Sequence, residues 1–154
     1  MSTLSLTLEK IFELAKKTLL ANGCDDETAS ILANLIKNAE RDGSLSHGLF
    51  RLPAYVSGLK SGKINGKGKP EVKKVSTSVI KVQGNNCLAP VVLSKALPEL
   101  SKAAKENGVA VLAINNSHHM AAMWPETEKL AEEGLVAFAC TSYKPAVAPA
   151  GAIK

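Results

Sequence analysis

Val109-Ala110-Val111-Leu112-Ala113-Ile114 is an unbroken apolar run, with Gly108 before it and Asn115-Asn116-Ser117-His118-His119 after it. The run is too short for a stable helix and rich in β-branched residues. It reads as a strand buried on both faces, the kind found in sheets flanked by helices. A helical pattern precedes it, from about Ala89 to Asn107, with Gly108 as its stop and Pro98 expected to kink or divide it. A helix over residues 126–133 follows, stopped by Gly134, and then a second expected buried strand over residues 135–140. Two valine-rich stretches, residues 71–76 and 78–83, read as short strands between turn residues.

Ahead of these strands the period changes from strand-like to helical. Leu8, Ile11, Phe12, Ala15 and Leu19 form one apolar stripe that ends at Asn22-Gly23. Asp25 or Asp26 opens a second helix with Leu32, Leu35, Ile36 and Ala39 on one face. Leu49, Leu52, Val56 and Leu59 mark a third, with Pro53 kinking it or sitting in its first turn. The expected class is α/β: a helical N-terminal segment over residues 1–66, then a mixed sheet with flanking helices over residues 67–154. Neither GxGxxG nor a Walker sequence is present, so a Rossmann site is not expected.

Composition narrows the function classes. Hydrophobic residues make up 45% of the chain and charged residues 21%, which excludes a disordered protein. Cys24, Cys87 and Cys140 are an odd set without CxxC spacing, which points to a reducing cytoplasm rather than a disulfide framework. The first residues lack the basic and apolar pattern of a signal peptide, and no apolar run approaches the length that spans a membrane. The net charge of +5 owes much to Lys60, Lys63, Lys67, Lys69, Lys73 and Lys74. Without arginine or interleaved aromatics this reads as a solvated loop, and no nucleic-acid partner is expected.

The chemistry sits in two polar clusters that hold all three histidines. In Ser46-His47-Gly48-Leu49-Phe50-Arg51, a helix beginning near Ser46 would place His47 and Arg51 one turn, ~6 Å, apart on one face. An imidazole can donate a proton near neutrality, and a guanidinium can grip a carboxylate with two parallel hydrogen bonds. Ser46 could cap that helix or bond the imidazole. The plainer reading is a cap and turn. The second cluster, Asn115 to His119, follows the apolar strand, where α/β proteins commonly bind ligands. Its plainer reading is a polar turn. No Asp or Glu stands at ligand spacing from the histidines, so no metal is expected, and without GxSxG no serine hydrolase is expected either.

Several of these stretches together resemble one family. Asp42-Gly43-Ser44-Leu45-Ser46-His47-Gly48-Leu49-Phe50-Arg51-Leu52-Pro53-Ala54-Tyr55, with Gly58, Leu59, Gly62, Ile64 and Asn65, is similar to the signature of malate/L-lactate dehydrogenase-like oxidoreductases. Gly84-Asn85-Asn86, Asn116-Ser117-His118-His119 and Ala146-Val147-Ala148-Pro149 follow in the same order. His118-His119-Met120-Ala121-Ala122-Met123-Trp124-Pro125-Glu126 resembles the branch that reduces Δ1-piperideine-2-carboxylate and Δ1-pyrroline-2-carboxylate.

The resemblance implies a non-Rossmann NAD(P)-binding fold, NADPH as cofactor with NADH as the alternative, and a homodimer. The implied function is reduction of a cyclic imino acid to pipecolate or proline. By position, His47 would be the proton donor, Ser46 its relay partner and Arg51 the carboxylate clamp, while His119, Met120, Ala121, Ala122 and Met123 would line the cofactor. Methionine stands at 120 where phenylalanine is frequent, and alanine at 152 where glycine is. Family members are longer, so the expectation is an N-terminal half whose relay lacks its aspartate and which can be inactive alone. The alternatives are a 2-keto acid/2-hydroxy acid dehydrogenase and a non-catalytic dimerisation module.

Overall fold

The computed structural model describes residues 5–119 and 121–142. Met120, the 146–149 stretch and Ala152, all named above, lie outside the described residues. Helix α1, Leu8–Ala21, is N-capped by the Thr7 hydroxyl, which accepts from the Lys10 amide, and Gly23 follows with a φ of 104°. Helix α2, Asp26–Arg41, begins under the Asp25 carboxylate, which accepts from the Thr28 amide at 2.8 Å. These two helices pack along most of their length through the stripes that the sequence shows, burying Ile11, Ala15 and Leu19 against Ala29, Leu32, Ala33 and Ile36.

Helix α3, Leu52–Lys60, is shorter than expected and holds Pro53 in its first turn, where a missing N–H costs nothing. Residues 45–47 and 49–51 instead form two separate tight 3-10 turns. His47 and Arg51 are therefore not stacked on one continuous helix from Ser46, and Ser46 caps none. The break has a local cause. The Glu40 carboxylate accepts from the Leu49 amide at 2.7 Å and fills the space beside Gly48, where a Cβ would lie 2.0 Å from Glu40 Oε1.

Strands β1 (Glu71–Lys74) and β2 (Val79–Gln83) pair antiparallel, with Val72 opposite Val82. Helix α4, Ala89–Asn107, then crosses over to β3, Val111–Asn115, which pairs parallel with β2. The sheet order is β1-β2-β3. Pro98 does not divide α4. It lies on the solvent-exposed side, where water can take the carbonyl that the proline leaves free. Ile80 and Val82 of β2 and Val91, Val92 and Ala96 of α4 join the core of α1 and α2.

Two expectations are corrected. Among the described residues, strand β3 ends the sheet and is covered on one face only: Leu112 and Ile114 face the core, while Val111 is 55% exposed. Residues 135–140 are no strand. Leu135 and Ala137 pack beside Leu93, Leu97 and Leu130, and Val136 and Phe138 point outward, but no backbone among the described residues pairs with the segment. A strand needs a ladder as well as an apolar pattern. Helix α5, Trp124–Glu132, lies between β3 and this segment and stops before Gly134, whose φ is 79°.

A glycine sets the loop after β3. The Gly84 amide donates to the Asn115 carbonyl at 2.8 Å, and a Cβ on Gly84 would lie 2.8 Å from the Asn116 carbonyl oxygen and 3.0 Å from the Ser117 nitrogen. Backbone cannot yield there as a side-chain end can. Gly84→Ala is expected to cost about 1–3 kcal/mol. It should shift the imidazole signals of His118 and His119 in a 1H–15N spectrum and leave those of His47 in place. Unmoved His118 and His119 signals would show that Gly84 does not hold the loop.

Candidate active site

The two 3-10 turns bring Ser46, His47 and Arg51 together without a helix. The Ser46 hydroxyl lies 2.9 Å from His47 Nδ1 and the Ser44 hydroxyl 3.3 Å. Both serines engage the same ring nitrogen, so Nε2 is left to face a ligand. Arg51 Nε donates to the Ser46 carbonyl at 2.8 Å. This ties the guanidinium to the turn that carries His47 and leaves its two terminal amino groups to grip an anion. Trp124, at the start of α5, packs its ring edge-on to His47 with centroids 5.9 Å apart.

The second cluster reaches the same place. The His118 amide donates to the Cys87 carbonyl at 2.8 Å, and its carbonyl accepts from the Ala89 amide at 3.0 Å, so it is stitched to the start of α4. His119 has a positive φ of 41°, uncommon for a side chain of its size. Its ring lies 5.9 Å from that of Tyr55. Ala121 and Ala122 are buried, and Met123 precedes α5.

Burial holds the His47 imidazole below its usual pKa, and the Arg51 charge adds to the effect. His119 is held down by burial first, then by the charges of Arg51, His118 and His47. His118 is lowered by burial and by Lys63. Tyr55, 1% exposed, is pushed up to about 12 by burial, against a lowering pull from Arg51. Glu126, at the start of α5, is raised by burial. Among the described residues, Tyr55 Oη, Gln83 Oε1, His118 Nδ1, His119 Nε2 and Glu126 Oε2 are buried without a hydrogen-bond partner. Gln83 ends β2 and His118 and His119 follow β3, and orphaned polar atoms at the carboxyl ends of parallel strands suit a polar ligand seated there.

Two consequences are measurable. Removing the Arg51 charge relieves part of the pressure on both rings, so Arg51→Met should move the titration midpoints of His47 and His119 upward in an NMR pH titration. That of His118 should stay put. The second concerns stability. An unfolded chain protonates its histidines near the ordinary value of 6.5, whereas the native rings do so only at lower pH. The unfolded state therefore binds more protons below about 6.5, so the histidines' contribution is intact above that value and is lost as pH falls. Glu126 acts oppositely, since its raised carboxyl favours the folded state when protonated. In Glu126→Gln, which removes the opposing group, the urea midpoint is expected to be lower at about pH 5.5 than at about pH 7.5; an unchanged midpoint there would mean that the histidines are not desolvated.

Sequence reasoning assigned no role to Tyr55, Trp124, Ser44, Glu40 or Gln83. Only Tyr55 carried a local signal, standing four residues after Arg51 on the same helical face. Ser44 meets His47 from three residues away, Glu40 reaches Leu49 across nine, and Trp124 meets His47 only through the tertiary fold.

The frame is thus an α/β protein in which helical turns and the carboxyl end of a parallel strand pair bring an imidazole, a guanidinium and the orphaned ring nitrogen of His119 together. A family model for malate/L-lactate dehydrogenase matches residues 6–154, and the chain belongs to that family. It is 39% identical to the Δ1-pyrroline-2-carboxylate/Δ1-piperideine-2-carboxylate reductase of Pseudomonas syringae pv. tomato, over 97% of this chain and 44% of the relative. The crystal structure of Δ1-piperideine-2-carboxylate reductase from that organism superposes with a TM-score of 0.82, covering 86% of this chain and 40% of the other. Malate dehydrogenase from Pyrococcus horikoshii OT3 gives a TM-score of 0.79 at 29% identity, over 85% and 38% of the two chains. The chain spans less than half the length of these relatives.

Proposed function

We propose that this chain forms the substrate-binding part of an NADPH-dependent reductase of Δ1-piperideine-2-carboxylate or Δ1-pyrroline-2-carboxylate, with pipecolate or proline as product. The observation that carries the reading is the Ser46–His47–Arg51 unit, a proton-carrying ring tied to an anion clamp, in a chain 39% identical to a reductase named for those two substrates. Residues 67–154 would form the first part of the NAD(P)-binding domain. His119, Met120, Ala121, Ala122 and Met123 would hold the cofactor, and the buried nitrogens of His118 and His119, without a partner among the described residues, fit a polar ligand beside them. A bound nicotinamide supplies the hydride.

The residues of this chain account for the rest. Arg51 takes the 2-carboxylate on its terminal amino groups and orients the C=N bond. As the imine carbon gains its hydride, His47 Nε2 donates a proton to the ring nitrogen, giving a neutral imidazole and an amine. The serine hydroxyls at Nδ1 hold the ring in position through this change. Neutralising Arg51 with the substrate carboxylate also removes one of the two influences that hold His47 low, so ligand binding itself favours the protonated donor. We further propose a cytoplasmic homodimer.

A second reading, reduction of a 2-keto acid to a 2-hydroxy acid, is favoured by the likeness to the P. horikoshii malate dehydrogenase. It uses the same two residues. Pyruvate, a diketo acid and both cyclic imines should be assayed with NADPH and with NADH, on the 154-residue chain and on a version extended to the relatives' length. Turnover of the imines with NADPH is expected, and turnover of open-chain keto acids alone would overturn the imine assignment.

A further inference from the structure

We propose that Trp124 is a positioning residue for the proton donor: its indole, anchored to the Asp42 carboxylate, fixes the plane of the His47 imidazole. The inference rests on the reading of His47 as the proton donor, and it adds two residues that act on the ring rather than on the substrate. The first turn of α5 and the end of α2 thereby set the direction in which the proton leaves.

The ring has little else to hold its plane. The serine hydroxyls are its hydrogen-bond partners among the described residues, and both act at Nδ1. A bond at one ring atom fixes where that atom lies, whereas rotation of the ring about its bond to Cβ is governed by a broad, two-fold torsion. The surrounding turns give no core packing: Leu45 is 65% exposed and Phe50 73%. Proton transfer is sensitive to this tilt, because a hydrogen bond weakens steeply away from linearity. Trp124 meets the ring at 5.9 Å between centroids and 72° between planes, the T-shaped arrangement that aromatic pairs prefer.

Trp124 is itself fixed. Leu130 of α5 is buried beside Leu93 and Leu97 of α4, and Glu133, the C-cap of α5, accepts from Lys105 of α4 at 2.6 Å and from the Ser101 hydroxyl. The other end of α5 begins with Trp124, where Pro125 fixes the first turn and the Thr127 hydroxyl donates to the Trp124 carbonyl at 2.9 Å. Asp42, the C-cap of α2, receives two bonds from Arg41, at 2.7 and 3.0 Å, which are the main reason that its carboxyl stays below the usual range. The Trp124 side chain lies close enough to donate to the same carboxylate, through the indole N–H that is its one donor. The charge of Glu128, one turn further along α5, also reaches Arg41. The end of α2, which leads into the turns of His47, is thus joined to α5 beside the ring.

The test uses a built-in probe. Trp124 is the single tryptophan of the chain, and indole emission is quenched by a protonated imidazole in contact but not by a neutral one. In the 154-residue chain, emission is expected to fall as pH is lowered through the His47 midpoint measured by NMR, and His47→Asn should abolish that step. Arg51 does not titrate in this range, and His119, the other ionisable ring nearby, is followed by its own imidazole signals. Asp42→Ala should weaken the quench and broaden the His47 imidazole signals while those of His118 stay sharp. Trp124→Leu should broaden the His47 signals further, and Trp124→Phe, which keeps an aromatic ring, should largely restore them. Where turnover is measured, Trp124→Leu is expected to lower kcat by about 10–100-fold and to change KM by less than about threefold.

Emission indifferent to the His47 titration overturns the inference, as do sharp His47 signals in both Asp42→Ala and Trp124→Leu. A rise in KM at unchanged kcat would place Trp124 on the substrate and overturn it equally. In each of these cases the proposed function stands. Full turnover in His47→Asn removes the proposed function, and the positioning role with it. If Trp124→Leu fails to fold, judged by far-UV circular dichroism, Asp42→Ala decides by quench and line width, because that exposed residue leaves the core untouched.

Discussion

On the proposed reductase reading, replacing His47 by Asn is expected to lower kcat by about 10²–10⁴-fold while the fold stays intact, the range for loss of a positioned general acid. The ring sits at the surface end of two short turns and is only partly buried, so its loss opens no cavity in the core. What is lost is specific. Two serine hydroxyls engage Nδ1 and Arg51 is held to the same turn, so the ring has one nitrogen and one direction available for proton transfer. KM should change far less than kcat, because Arg51 still holds the carboxylate. The measurement is steady-state kinetics with the cyclic imines, in whichever length of chain supports turnover, alongside the far-UV spectrum. A variant retaining more than about a tenth of wild-type kcat would remove His47 from the chemical step.

The largest expected effect on stability lies elsewhere. Leu32→Ala should lower the unfolding free energy by about 3–5 kcal/mol, the cost of an unfilled cavity in a rigid core. Leu32 is fully buried in the middle of α2, within the cluster shared with α1, β2 and α4. With a typical domain stability of about 5–15 kcal/mol, that is a large share of the total. The effect should reach the site, because the end of α2 builds it: the Ala39 carbonyl accepts from the Ser44 amide, and Glu40 holds the Leu49 amide. Urea unfolding followed by circular dichroism measures the loss, and His47 imidazole broadening at moderate urea reads the link. A loss under about 1 kcal/mol would mean that the α1–α2 packing is not the centre of the fold.

Much of this was legible from local signals. Apolar stripes located α1 and α2, Asn22-Gly23 marked the end of the first and Asp25 or Asp26 the start of the second, since stripes follow from the helical period and caps from the unpaired amides of a first turn. Gly108 and Gly134 marked the ends of α4 and α5 because each must adopt a positive φ. The misreadings share a cause. The run 109–114 and the segment 135–140 are apolar enough for buried strands, but burial and pairing depend on what lies beside them. β3 is covered by α4 on one side only, and 135–140 has no ladder partner among the described residues.

The amino-acid sequence alone determined the succession of helices and strands as far as α5 and the helical N-terminal part, and it set His47 and Arg51 four residues apart. Tertiary structure decided that this pair sits on two tight turns held by Glu40 rather than on one helix, and that His119 and Tyr55 meet beside Arg51. The physical reason is range. Caps, periods and turn residues act over a few positions and leave their mark in a short window. The contact between Tyr55 and His119 spans much of the chain and exists only once α3 and the loop after β3 are packed on a common core.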